Sequence, residues 1–209
     1  MKRAIYIFVV VMLASVASIS NAQDQAKAIL DEVSTALAAY NTLQADFTFT
    51  LSNEEADIED SFEGNLVLQG NKYRLSIMGL LILCDGERLW NFVEEMNEVS
   101  ILDPDENEIF NPTNIFNLYK KDFDLETVNK QGSEYQIKLT PHTEDQEFSH
   151  IILAVDKVKK RILGASYFGA DGNTYKMKIS NILTDVQVDD RFFIFDPEKY
   201  PGVDVFDMR

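Results

Sequence analysis

Along "KYRLSIM" apolar and polar side chains alternate. Tyr73, Leu75 and Ile77 fall on one side and Arg74 and Ser76 on the other, the pattern of a half-buried strand. Leu80, Leu81, Ile82 and Leu83 then follow in a row, so both faces of that stretch are apolar. Antiparallel sheets commonly keep one face wet, so a second apolar face asks for a second cover. The same alternation recurs in "ADFTFTL", "SFEGNLVLQ", "EYQIKLTP", "FSHIILAVD", "RILGASYF" and "TYKMKISNI", and "RLWNFV", "EVSIL" and "FFIFDP" are strand-like as well. Gly70-Asn71, Asp85-Gly86 and Asp171-Gly172 supply tight turns between them.

Two stretches follow a helical period instead. From Asp24, a candidate cap, to about Tyr40, the residues Ala26, Ile29, Leu30, Val33, Leu37 and Tyr40 share one stripe. "NPTNIFNLYKKDF" interrupts the strands with a short apolar helix, capped by Asn111 and started by Pro112, on which Ile115, Phe116 and Tyr119 share a face. The expected architecture is mainly β with helices (α+β): a long antiparallel meander with one helix in front and another inserted midway.

The first 22 residues change what belongs to that fold. Lys2 and Arg3 precede an apolar run from Ile5 to Val16, and Ser20-Asn21-Ala22 ends it with small residues, the layout of a cleaved export signal. The expected domain organisation is a signal peptide over 1–22 and a single domain over 23–209. Without Lys2 and Arg3, 17 basic side chains face 35 acidic ones, a net charge of −18. Such a charge repels nucleic acid and anionic headgroups. Cys84 is the only cysteine, so no disulfide framework is expected despite export, and it reads as a buried structural thiol.

Candidate chemistry is sparse. His142 and His150 do not form a metal-binding pair of helical spacing. "GASYFG" has Phe168 where a nucleophile elbow needs its second glycine, which leaves Ser166 as a strand residue. Asp103, Asp105 and Asn107 open a calcium-loop pattern, but Glu108 and Asn114 occupy its glycine and glutamate positions. Lys157, Lys159, Lys160 and Arg161 form a basic turn, either plainly solvated or a docking spot for an acidic partner. No metal, cofactor or catalytic group is expected. A sheet that is apolar on both faces and incompletely covered by its helices would instead hold a greasy pocket for acyl chains, whose burial contributes about 0.8 kcal/mol per CH₂.

The order of these segments resembles the periplasmic outer-membrane lipoprotein carriers of the LolA type. The first helix leading into "LQADFTFT", the strand and turn "GNLVLQGNKYRL", "LCDGERLWNF", "NPTNIFNLY", "LTP" at Leu139–Pro141, the Asp171–Thr174 turn and "FFIFDPEKYPGVDV" carry the likeness. The resemblance implies an unclosed antiparallel β-barrel with a helical lid and a hydrophobic cavity. The cavity would take the acyl chains of lipoproteins and the protein would shuttle them from the inner to the outer membrane. It implies lipoproteins, an ATP-driven inner-membrane release complex and an outer-membrane acceptor as partners, in the periplasm, with the carrier a monomer. In well-known members an arginine followed by proline ends the glycine-led strand and ties the lid shut. Here Gln69-Gly70-Asn71 stands at that place, and Lys72 and Arg74 are the candidates for the latch.

The candidate cavity residues are Phe47, Phe49, Leu66, Leu68, Tyr73, Leu75, Leu89, Trp90 and Phe92, with Ile115, Phe116 and Tyr119 on the lid. The alternatives are a carrier of another lipid, such as a glycolipid or fatty acid, and an envelope-stress sensor of mislocalised lipoprotein. A lipid hydrolase would need a nucleophile and base that the sequence does not offer.

Overall fold

The computed structural model describes residues 23–105, 111–113, 118–120, 123–142 and 147–209. The export segment and the lid residues Ile115 and Phe116 lie outside the described residues. A helix, α1, spans 23–38. Its stripe is buried as the spacing demands: Ala26, Ile29, Leu30, Val33 and Leu37 are all within the core, whereas Tyr40 lies past the helix end and is exposed.

Strands follow in two series. The first comprises β1 (Leu43–Asn53), β2 (Ile58–Gln69), β3 (Lys72–Ile77), β4 (Leu80–Cys84), β5 (Leu89–Val93) and β6 (Glu98–Leu102). The second comprises β7 (Phe123–Gln131), β8 (Glu134–Pro141), β9 (Phe148–Asp156), β10 (Arg161–Gly169), β11 (Thr174–Thr184) and β12 (Asp204–Asp207). They form one 12-stranded sheet in the order β12-β6-β5-β4-β3-β2-β1-β11-β10-β9-β8-β7. Two antiparallel meanders, β2–β6 and β7–β11, therefore flank β1, and β7 and β12 remain as unpaired edges. The result is an unclosed β-barrel with a helix over its inner side, as the sequence pattern and the resemblance predicted.

Two local expectations are corrected. β7 itself carries no clean alternation in the sequence, since a bulge between Thr127 and Asn129 breaks it and turns Val128 outward. "FFIFDP" is not a sheet strand. Asp189 caps a short 3₁₀ turn over Asp190–Phe193, accepting a hydrogen bond from the Arg191 backbone N–H, and Asp196 caps another over Pro197–Lys199. The segment keeps strand-like alternation, with Phe193 and Phe195 buried and Phe192 and Ile194 exposed, but it lies over the sheet as a strap. β12 then pairs with β6 in parallel, against the antiparallel expectation.

Further bulges keep the inner face apolar. β11 skips Ser180, so that Ile182 opposite Ala45 and Ile179 opposite Phe47 both point inward. Ser180 Oγ donates to the Asp46 carbonyl at 3.0 Å, and Asn65 and Asn181 donate to the Asp46 carboxylate at 2.6 and 3.1 Å. The two amide hydrogen bonds, Asn181's first, hold the Asp46 carboxyl below its ordinary range. At the β1–β2 pair Phe47 faces Gly64, and a Cβ on Gly64 would meet the Phe47 ring at 2.3 Å. The tip of the ring fills the space a side chain would need, which explains a glycine in the middle of this strand.

Candidate functional site: the inner face of the sheet

Cross-strand pairing decides which candidate residues share a face. Leu68 pairs with Tyr73, Tyr73 with Cys84 and Cys84 with Leu89; Leu66 pairs with Leu75, and Phe49 lies two residues from Phe47 on β1. Phe47, Phe49, Leu66, Leu68, Tyr73, Leu75 and Leu89 thus all lie on the inner face, the face that α1 packs on, seven of the nine candidates. Trp90 and Phe92 do not join them. Because successive side chains of a strand point to opposite faces, Leu89 inward puts Trp90 outward, and Phe92 with it.

On that outer side Leu81, Leu83, Trp90, Phe92, Val99 and Phe195 form a separate core. The strap covers it. Tyr200 stacks on Phe195 with centroids 5.0 Å apart, and Phe92 meets the two rings at 4.3 and 5.3 Å. The doubly apolar β4 therefore gets its second cover from the C-terminal strap, not from a ligand. The two latch candidates reach the same strap. Lys72 pairs with Asp190 at 2.7 Å, and the Arg74 guanidinium sits 5.0 Å over the Phe192 ring. Both cations point away from α1.

A different tie joins the pieces on the inner side. The Tyr119 hydroxyl donates to Asp31 on α1 at 2.7 Å, and Lys27 contacts the other oxygen of that carboxylate at 2.8 Å. Burial and then the Asp31 acceptor push the Tyr119 phenol up to about 12. Burial raises the Asp31 carboxyl, but the hydrogen bonds from Lys27 and Tyr119 outweigh it and leave it below its ordinary value. Tyr119 was read from the sequence and Asp31 was not. A carboxylate on the polar flank of an amphipathic helix carries no local signal of a partner 88 residues away. The Asn111 side chain accepts from the Thr113 N–H at 3.0 Å and from its hydroxyl at 2.8 Å, closing a turn over Pro112; the helix expected after it lies largely outside the described residues.

Between α1 and the sheet lies an apolar cavity of about 40 Å³ lined by residues that include Leu37, Phe47, Leu66, Leu68, Ile179 and Ile182. A larger cleft of about 600 Å³ opens on the other face of β1, but Thr48, Thr50, Glu59, Lys176 and Lys178 line it, a surface that offers an acyl chain nothing. Cys84 is buried on the inner face and burial pushes its thiol up, which suits packing and not reactivity. His142 bonds Asp124 at 3.1 Å and His150 stacks on Phe168 at 4.2 Å, so the two serve separate elements. Among the described residues no three His, Cys, Asp or Glu side chains are grouped to hold a metal ion.

The architecture is thus an open, mainly antiparallel sheet with an amphipathic helix over its apolar inner face. Comparison with known proteins makes this particular. The family model for the outer membrane lipoprotein carrier protein LolA matches residues 38–196, and the chain belongs to that family. It is 25% identical over 194 residues to the outer-membrane lipoprotein carrier protein of Methylococcus capsulatus, covering 90% of this chain and 88% of that protein. Among solved structures, an uncharacterized conserved protein from Thermus thermophilus superposes with a TM-score of 0.58 at 13% identity, covering 88% of this chain and 99% of that one. A putative outer membrane lipoprotein-sorting protein domain from Vibrio parahaemolyticus gives 0.48 at 10% identity, covering 82% and 97%.

Proposed function

We propose that this protein is a periplasmic carrier that takes the acyl chains of lipoproteins onto its inner face and moves them from the inner to the outer membrane. The observation that supports this most directly is the inner face itself. Leu66, Leu75 and Ile82 are apolar yet only half-buried, and the cavity that Leu66 shares with Leu37 of α1 is nearly closed. Ligand pockets run to several hundred Å³. A cavity of about 40 Å³ must therefore widen before an acyl chain enters.

The widening has a natural route. If α1 swings away, Ile29, Leu30, Val33 and Leu37 leave the sheet and the acyl chain takes their place. Each CH₂ buried contributes about 0.8 kcal/mol, and the displaced helix side chains give up a comparable amount. Loading is then an exchange of one apolar cover for another, which keeps it reversible. The Tyr119–Asp31 bond is the tie that such a motion breaks. The strap, by contrast, stays on the outer face throughout. The acidic surface keeps the loaded carrier off anionic membranes. An ATP-driven release complex at the inner membrane and an acceptor at the outer membrane would supply and remove the cargo, and the export signal would place the carrier between them.

The test is a release assay. Proteoliposomes bearing a labelled lipoprotein and its release complex are incubated with the purified protein, and the soluble fraction is examined for a one-to-one complex. A complex is expected with the natural sequence and is lost with Leu75→Glu, which places a charge on the half-exposed inner face without burying it in the core. Trp90→Glu is no probe of the cavity, since it buries a charge under the strap and unfolds the protein. Absence of any complex, with another lipid found in the purified protein by mass spectrometry, would overturn the cargo.

A further inference from the structure

One cross-strand row of the inner face is amphipathic from end to end. Register places Ser100, Asn91, Ile82, Leu75, Leu66, Ala45 and Ile182 directly opposite one another on β6, β5, β4, β3, β2, β1 and β11. From Ile82 onward the row is wholly apolar and ends at Ala45 and Ile182, which line the cavity beneath α1. Its other end is polar. Asn91 Oδ1 is sealed from solvent with no hydrogen-bond partner, and neither Asn91 nor Ser100 donates or accepts a side-chain hydrogen bond among the described residues. A buried amide oxygen left unpaired is rare and destabilising in a folded protein. It ends a row that is only half covered, since Asn91, Ile82, Leu75, Leu66 and Ile182 all keep part of their surface open.

The distances fit a lipid. Asn91 on β5 is four strand steps from Ala45 on β1. At about 4.8 Å per step that is about 19 Å along the sheet, the scale of a long acyl chain. Apolar pockets commonly fix the orientation of their ligand with a few polar groups. We propose that Asn91 and Ser100 form the head-group end of the acyl site and that the group they select is a secondary amide. Asn91 Oδ1 accepts its N–H, the Ser100 hydroxyl donates to its carbonyl, and the attached chain runs along Ile82, Leu75 and Leu66 into the cavity. The orphan oxygen then gains in the loaded state the partner it lacks in the empty one. This rests on the carrier reading above and adds to it a chemical selection that an apolar wall alone cannot make.

The test compares N-methyldodecanamide with methyl dodecanoate, which has the same chain but no N–H, by displacement of a fluorescent fatty-acyl probe from the purified protein. One neutral hydrogen bond predicts about three- to tenfold tighter binding of the amide. Asn91→Leu is expected to remove that preference while binding the ester at least as well, and to melt no lower than the natural protein. Side-chain NH₂ resonances give a second reading on the unaltered protein. The Asn91 signal should shift with the amide and not with the ester. Equal affinity for the two ligands, or a preference that survives in Asn91→Leu, overturns the proposal while leaving an acyl carrier. Failure of both ligands to bind overturns the carrier reading itself. An N-dodecanoyl dipeptide amide that binds more tightly than N-methyldodecanamide would assign the amide to the acylated N-terminus of a polypeptide. Equal affinity would assign it to a free lipid amide.

Discussion

The two faces of strands β3 to β6 are built from adjacent residues and do opposite things. On the outer face Leu83, Trp90, Phe92 and Val99 are sealed by the strap, each 5% exposed or less. On the inner face Tyr73, Cys84 and Leu89 are buried as well, but Leu75, Ile82, Asn91 and Leu102 stay half-buried. Apolarity alone would point to the outer face, since it carries the larger aromatic side chains. Coverage points to the inner one. A covered apolar surface has already released its free energy in folding, and only an uncovered one has any left to give a ligand.

The comparison breaks most visibly through the strap. Trp90→Ala should cost about 3–5 kcal/mol in chemical denaturation, the range for emptying a buried aromatic site, while acyl binding by the folded fraction is unchanged. Loss of binding in a folded Trp90→Ala protein would mean that the two faces are not separate. Next in size is Gly64→Ala, whose methyl group collides with the Phe47 ring. Displacing that ring should cost about 1–3 kcal/mol and, unlike the first substitution, should also weaken acyl binding, because Phe47 lines the cavity. A pure stability effect would remove Phe47 from the cavity wall in solution.

Tyr119→Phe removes one hydrogen bond and should cost about 1 kcal/mol. Its sharper signature is kinetic: a weaker tie on α1 should speed acyl entry. An unchanged entry rate would place the opening elsewhere. The smallest effect is on pH dependence. The Asp31 carboxyl is lower in the fold than its ordinary value near 3.9, so it stabilises above that value and the gain disappears as the pH falls through the lowered one. The Tyr119 phenol is raised to about 12, so its contribution is complete below its ordinary value near 10 and disappears as the pH rises through 12. The Tm difference between the natural protein and Tyr119→Phe should thus be flat from about pH 5 to 9 and shrink below about pH 4. A difference that varied near neutrality would implicate another group.

Strands and helix α1 were legible because each is a local period. Alternation at Phe47 and Phe49 or at Tyr73 and Leu75, and the stripe from Ala26 to Leu37, need no knowledge of the rest of the chain. So was the family, which rests on the order of such segments. Alternation, however, is unchanged when the two faces are exchanged, so it told which residues share a face but not which face is covered by what. Reading Leu89 and Trp90 into one cavity crossed that limit. Tertiary structure alone settled the rest: that the alternating "FFIFDP" lies over the sheet without pairing, that Lys72 and Arg74 meet it there, that Asp31 receives Tyr119, and that Asn91 ends an apolar row. Each of these depends on residues distant in sequence being brought together by strand order, and strand order is a property of the whole packed sheet, written in no single segment of it.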